Sequence, residues 1–167
     1  MRKIKLIGSA IGNCGRLNGC ESSPYQVSNK LANTEGILID SDVVAYDGGS
    51  HDILAQREFF TSVARRAERA TEKGVFPIFI GGDHSCAIGS WSGVAENLHK
   101  YDQDLALIWI DAHMDAHRPE TSETGNLHGM PVAHLLGHGH RELTSIMSAH
   151  PKLKPENLVY FGIRSYE

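Results

Sequence analysis

The chain has 167 residues, 41% hydrophobic and 22% charged, and a net charge of −4 with its ten histidines counted neutral. That balance describes a soluble globular domain; it excludes a disordered tail and the concentrated basic surface that a nucleic-acid partner requires. No run approaches the roughly 18 apolar residues of a membrane span, so no membrane partner is expected either.

Residues 3 to 8, KIKLIG, read as a first strand, and residues 9 to 21, rich in Gly, Asn and Cys, as a loop. In SSPYQVSNKLA, Ser23 is placed to cap a helix with Pro24 at its first position. The β-branched stretch GILIDSDVVAYD predicts a second strand, interrupted near Asp40 to Asp42. Residues 52 to 74 carry Ile53, Leu54, Phe59, Phe60, Val63, Ala64 and Ala67 at helical spacing, with Gly74 as the stop. The basic cluster at residues 65 to 73 alternates with acids and small residues, so it reads as the solvated face of that helix. VFPIFIGG is a continuous apolar run ending in two glycines, the pattern of a strand buried on both faces. SCAIGSWSGVAENLH then predicts a helix with Ser85 at its start. LALIWID is the next buried strand, and residues 112 to 128 form a long polar loop. GMPVAHLLG predicts a short helix with Pro131 in its first turn, RELTSIMSAH another, and NLVYFGI a last buried strand. This alternation predicts one α/β domain over residues 1 to 167 with a mostly parallel sheet.

In open parallel sheets, function collects at the carboxyl ends of the strands. Two strands here end in ionisable groups: one in GGDHS, residues 81 to 85, the other in DAHMDAH, residues 111 to 117. The glycines allow a tight turn and aim Asp83 and His84 above the sheet. Alternation along an extended segment puts Asp111, His113 and Asp115 on one face. Such a group is buried only with a counter-charge, which a divalent cation supplies. Carboxylates and imidazoles without thiolates suit Mn²⁺ better than structural zinc. Paired metals at such a site point to hydrolysis.

Other features carry less. Cys14, Cys20 and Cys86 form no disulfide framework, and the apolar run at the N-terminus is too short for a signal peptide, so the cytoplasm is the expected compartment. Cys86 reads as a small buried residue at a helix start rather than a nucleophile. His134, His138 and His140 lie in a glycine-broken segment that reads as a surface loop. Trp91 and Trp109 read as packing residues. The glycines between residues 8 and 19 match no phosphate-binding pattern.

GGDHS, DAHMD and GNLHGMP together resemble the ureohydrolase superfamily of arginases, agmatinases and formimidoylglutamases. The stretch SETGNLHGMP is most similar to bacterial arginases. The resemblance implies a three-layer α/β/α fold and a hydrolase with two Mn²⁺ ions in its complete site. It implies His84, Asp111 and Asp115 as ligands of one ion, and Asp111 with His113 as ligands of the other. His128 and Asp115 would be catalytic, with His128 moving protons because imidazole titrates near neutral pH. Thr124, Asn126, His117 and Glu167 would contact the substrate, Glu167 standing where arginases often carry an Asp and His117 where they usually carry an Asn. The reaction implied is hydrolysis of the guanidinium group of L-arginine to L-ornithine and urea, in a homo-oligomer in the full-length form. A related guanidino or amidino hydrolase, or a non-catalytic metal-binding fragment, are the alternatives. The family's further metal motif, S-x-D-x-D-x-x-D-P, is absent. The chain therefore resembles the N-terminal half of an arginase, cut short after its last strand, and is expected to be poorly active alone.

Overall fold

The computed structural model describes residues 3–16, 18–32, 34, 38–71 and 75–166. In chain order the described elements are β1 (Lys3–Ala10), α1 (Ser23–Leu31), β2 (Leu38–Ala45), α2 (Ile53–Ala70), β3 (Val75–Gly81), α3 (Cys86–His99), β4 (Leu107–Ile110), α4 (Pro131–Leu135), α5 (Arg141–Thr144) and β5 (Leu158–Phe161). All strand pairing is parallel. The strands form two sheets, β2-β1-β3 and β4-β5.

β1 is the centre of the larger sheet. Consecutive residues Leu6 and Ile7 are both fully buried, so both of its faces are covered. Gly8 lies against Pro24 of α1, and α2 also packs on β1. This is the expected layering of helix, parallel sheet and helix. β2 runs without the expected interruption. Its acidic residues are answered from neighbouring elements: Asp40 by Lys5 and Asp42 by Arg66, each at 2.8 Å. β3 tolerates Pro77, which lacks an N–H, because β3 is paired on one side only.

α2 begins at Asp52, whose carboxylate accepts the Ala55 N–H at 3.1 Å. The expected stop at Gly74 lies outside the described residues. α3 packs against α2 through Gly89 and Gly93, which face the backbone carbonyls of Phe60 and Ala64. α3 also joins the two cores. Ile88 belongs to the cluster with Phe60, Val63 and Leu127, while Ala87, Val94 and Ala95 pack with Leu107, Trp109, Val132 and Leu135.

Two expectations are corrected here. β3, β4 and β5 are not buried on both faces: no residue of β3 is fully buried and Phe76 is exposed, and although Leu107 and Trp109 are buried, Ile108, Ile110, Val159 and Phe161 are exposed. Burial of both faces needs a covering layer on each, and for β4 and β5 the described residues cover one. The histidine-rich segment is not wholly a surface loop either. His134 is buried in α4, its Nδ1 donating to the Met130 carbonyl at 2.9 Å and its Nε2 accepting the His140 N–H at 3.1 Å. Gly139 lies directly over its ring. No described helix is long and apolar enough to cross a membrane.

Candidate metal centre and adjoining cavity

β3 and β4 belong to different sheets, yet their carboxyl ends meet. His84 follows the glycine turn at the end of β3, and Asp111 follows Ile110 at the end of β4. His84 Nδ1 lies 3.0 Å from Asp111 Oδ2 and 2.7 Å from Asp115 Oδ2. These three ligand atoms lie within 4.8 Å of one another. Behind them, the His84 ring stacks on Trp109 with centroids 4.3 Å apart.

The segment after β4 is not the extended strand that simple alternation predicts. Asp115 takes a left-handed backbone conformation, φ 51°, and this turn brings it back to His84. β5 holds the segment in place. The Asp111 N–H donates to the Phe161 carbonyl at 3.1 Å, and the Arg164 and Ser165 N–H groups donate to Ala112 at 2.7 and 3.0 Å. The Tyr160 hydroxyl donates to the Met114 carbonyl at 2.9 Å. From the other side, the Val132 N–H at the start of α4 donates to the Asp115 carbonyl at 3.0 Å.

His113 stands apart from the three clustered residues. It is largely exposed, and its Nδ1 lies 3.4 Å from Asp111 Oδ1, the oxygen opposite the one that faces His84. The Asp111 carboxylate thus has one oxygen toward each histidine. Asp83, expected to point above the sheet but not counted among the ligands, does not join the cluster. It turns back to accept the Cys14 N–H and the Ser85 N–H, both at 3.0 Å.

The electrostatics suit a cation. Burial works to lower the His84 pKa, but the Asp115 and then Asp111 carboxylates outweigh it and hold it above the ordinary imidazole value. Burial works to raise the Asp111 pKa; the His113 backbone N–H and the His84 ring outweigh it and hold it below the usual carboxylate range. Asp115 is buried, and its Oδ2 makes no hydrogen bond despite its 2.7 Å contact with His84 Nδ1. A buried carboxylate oxygen left in that state is costly unless a cation faces it. A carboxylate- and imidazole-rich donor set fits a divalent ion of the Mn²⁺ type.

Next to this cluster is a cavity of about 520 Å³. Its lining brings together six expected residues, His113, Asp115, His117, Thr124, Asn126 and His128, all from the connection between β4 and α4. His117 Nδ1 lies 3.3 Å from the Thr121 hydroxyl. His128 is held by the Cys14 carbonyl, which accepts from its Nδ1 at 2.9 Å and its backbone N–H at 3.2 Å. Glu167 lies outside the described residues. The cavity also contains Arg16, Glu123 and Ser165, which the sequence reading did not select. The only signal for Arg16 was its place in a glycine-rich loop; nothing in the local sequence marked Ser165.

The thiols stay out of this chemistry. Burial, then the charge of Asp83, pushes both Cys14 and Cys86 up to about 12, which leaves them protonated and poorly nucleophilic.

An Arginase family model matches residues 2–167. The arginase of Bacillus caldovelox is 43% identical over 121 residues, covering 72% of this chain and 39% of its own length. The solved arginase of Bacillus subtilis superposes with a TM-score of 0.85 at 31% identity, over 99% of this chain and 57% of that one. The arginase of Entamoeba histolytica, solved in complex with L-ornithine, superposes with a TM-score of 0.88 at 25% identity, over 99% of this chain and 60% of that one. The chain thus spans well under two thirds of the length of the relatives it matches.

Proposed function

The chain belongs to the arginase family, and from that premise we propose that it carries the metal-binding and substrate-orienting part of a manganese-dependent arginase that hydrolyses L-arginine to L-ornithine and urea. The observation that carries this reading is the convergence of His84 Nδ1, Asp111 Oδ2 and Asp115 Oδ2 at the edge of a polar cavity. In this reading His84, Asp111 and Asp115 hold one Mn²⁺, while Asp111 and His113 hold a second. What the metal supplies when bound there is a water-derived nucleophile near neutral pH and a counter-charge for the carboxylates.

The chain's own groups do the rest. Asp111 serves both sides of the site because its two oxygens face different histidines. Asp115 holds its position through a buried carboxylate and a backbone carbonyl anchored on α4. His128 donates Nδ1–H to the Cys14 carbonyl, so in the neutral ring Nε2 carries the lone pair. That nitrogen takes up and returns a proton on the cavity side. Thr124, Asn126 and the His117 ring orient the amino-acid end of the substrate, with Glu167 assigned to its ammonium group. Arg16 adds a guanidinium to the same wall, a group suited to a carboxylate. The structure of a relative with L-ornithine supports an amino-acid ligand. The same reading places the protein in the cytoplasm and assigns it self-association.

A paramagnetic titration tests this. Mn²⁺ added to the ¹⁵N-labelled chain is expected to broaden the His84, His113 and His128 signals first. L-arginine and L-ornithine are then expected to shift Thr124 and Asn126, and urea to be released slowly. Agmatine binding in preference to L-arginine would replace the substrate assignment. Failure of Mn²⁺ to affect His84 would overturn the metal centre.

A further inference from the structure

We propose that Asp83 is a positioning residue for His128, acting through the backbone of Cys14, whose N–H meets the one and whose carbonyl meets the other. Asp83 is the residue before His84, but its carboxylate points away from the metal cluster. One oxygen, Oδ1, accepts the Ser85 N–H at 3.0 Å and the Ser85 hydroxyl at the start of α3. The other, Oδ2, accepts the Cys14 N–H at 3.0 Å, across to the loop that follows β1. The Asp83 N–H also donates to the Ile11 carbonyl of that loop at 2.9 Å. On its far side, the Cys14 residue presents its carbonyl to His128, accepting Nδ1–H at 2.9 Å and the backbone N–H at 3.2 Å. Gly15 lies between the two side chains, with room for ordinary contact. A Cβ at Gly15 would lie 3.6 Å from Asp83 Cβ and 3.9 Å from His128 Cγ.

The consequence is chemical. A carbonyl oxygen only accepts, so the neutral His128 ring is held as the Nδ1–H tautomer, with the Nε2 lone pair free for proton transfer. A carboxylate on the N–H side anchors the residue whose carbonyl performs that selection. The rest of the loop is pinned less strongly, by Asn13 Nδ2 to the Gly48 carbonyl at 2.9 Å and Gln56 Nε2 to Cys14 Sγ at 3.4 Å. Asp83 thereby couples the turn that presents a metal ligand to the orientation of a proton-transfer residue. The proposal rests on the reading of His128 as that residue, but ring tautomer is observable without substrate or turnover. A failed hydrolysis assay therefore leaves the coupling standing, and a wrong tautomer removes the coupling and the Nε2 role of His128 while leaving the metal centre and substrate class untouched.

The experiment is ¹⁵N NMR of ring-labelled histidine in the intact 167-residue chain, with EDTA present, at about pH 8.5, two units above the ordinary imidazole value. Wild type is expected to show His128 as the Nδ1–H tautomer. Asp83→Ala is expected to move it to a mixture and to speed Cys14 amide exchange roughly tenfold, as fits loss of one hydrogen bond to a charged acceptor. Ser85→Ala, which keeps the Cys14 bond, is expected to leave His128 unchanged. If Asp83→Ala does not fold, Asp83→Asn serves, since either amide orientation sets a donor against the Cys14 or the Ser85 N–H. An Nε2–H tautomer in wild type overturns the proposal. So do unchanged His128 ring signals in a folded Asp83 variant whose Cys14 amide exchanges faster.

Discussion

His84 lies flat on Trp109, their ring planes 19° apart. The two residues come from strand ends in separate sheets, β3 and β4, which share no hydrogen-bond ladder. The stack, together with the contacts from His84 to Asp111 and Asp115, links one strand end to the other. Trp109 is buried with Leu107, Val132 and Leu135 on one side and backs a candidate metal ligand on the other. Packing and site geometry therefore meet in one side chain.

Trp109→Ala is expected to destabilise the fold by about 3–5 kcal/mol, the cost of removing a large buried aromatic. Trp109→Phe keeps a ring under His84 and is expected to lose less. Urea unfolding measures the first effect, and Mn²⁺ titration of the two variants the second. Equal Mn²⁺ affinity in wild type and Trp109→Phe with reduced affinity in Trp109→Ala would show that any ring suffices.

Asp115→Asn removes a buried charge whose Oδ2 makes no hydrogen bond. Without metal, its unfolding midpoint is expected to stay near that of wild type, because a costly desolvated carboxylate has gone. With Mn²⁺ added, wild type is expected to gain stability as the ion binds the folded state, and the variant to gain much less. EDTA should return wild type to its metal-free midpoint. Thermal melts with and without the ion decide the matter, and an equal Mn²⁺ response in both proteins would remove Asp115 from the ligand set.

Stability is expected to fall in mild acid because of His134. Burial, opposed by the Met130 carbonyl, lowers its pKa from 6.5 to about 4. Between those values the unfolded chain binds a proton that the folded chain refuses, so stability rises with pH there. The contribution is present in full above pH 6.5 and is lost as pH falls toward about 4. The span is on the order of 3 kcal/mol, from about 1.4 kcal/mol per pKa unit. Protonation would also cost the acceptor that receives the His140 N–H. Urea midpoints followed across this range should show the slope, and His134→Gln should flatten it.

Gly93→Ala sets two effects against each other. Alanine favours a helix over glycine by about 1 kcal/mol. Here, however, a Cβ would fall 2.0 Å from the Ala64 carbonyl oxygen, and 2.8 Å from Ala67 Cβ, so α3 must move off α2. Overpacking of that kind costs about 1–3 kcal/mol and outweighs the gain. Chemical denaturation should therefore find the variant less stable, not more.

The parts legible in the chain were those written in local pattern. Apolar runs marked β3, β4 and β5, and helical patterning marked α2 and α3 with their starts within a residue. GGDHS and DAHMD identified His84, Asp111 and Asp115 because ionisable groups at the ends of apolar strands need a counter-charge. Two-fold alternation then misled. It put Asp111, His113 and Asp115 on one face, because it assumed that the extended backbone continues past the strand, whereas Asp115 turns left-handed and His113 meets only the far oxygen of Asp111.

The sequence by itself determined the α/β class, the parallel strands and the donor types of a candidate metal centre, since hydrophobic period and donor chemistry are local properties. Only the tertiary structure decided which donors converge. The left-handed turn at Asp115, the clamp from β5, the exposed outer face of β4 and β5, and the Asp83–Cys14–His128 chain all depend on contacts between residues far apart in sequence. Such contacts arise from where packed elements place their ends, and no window along the chain contains that information.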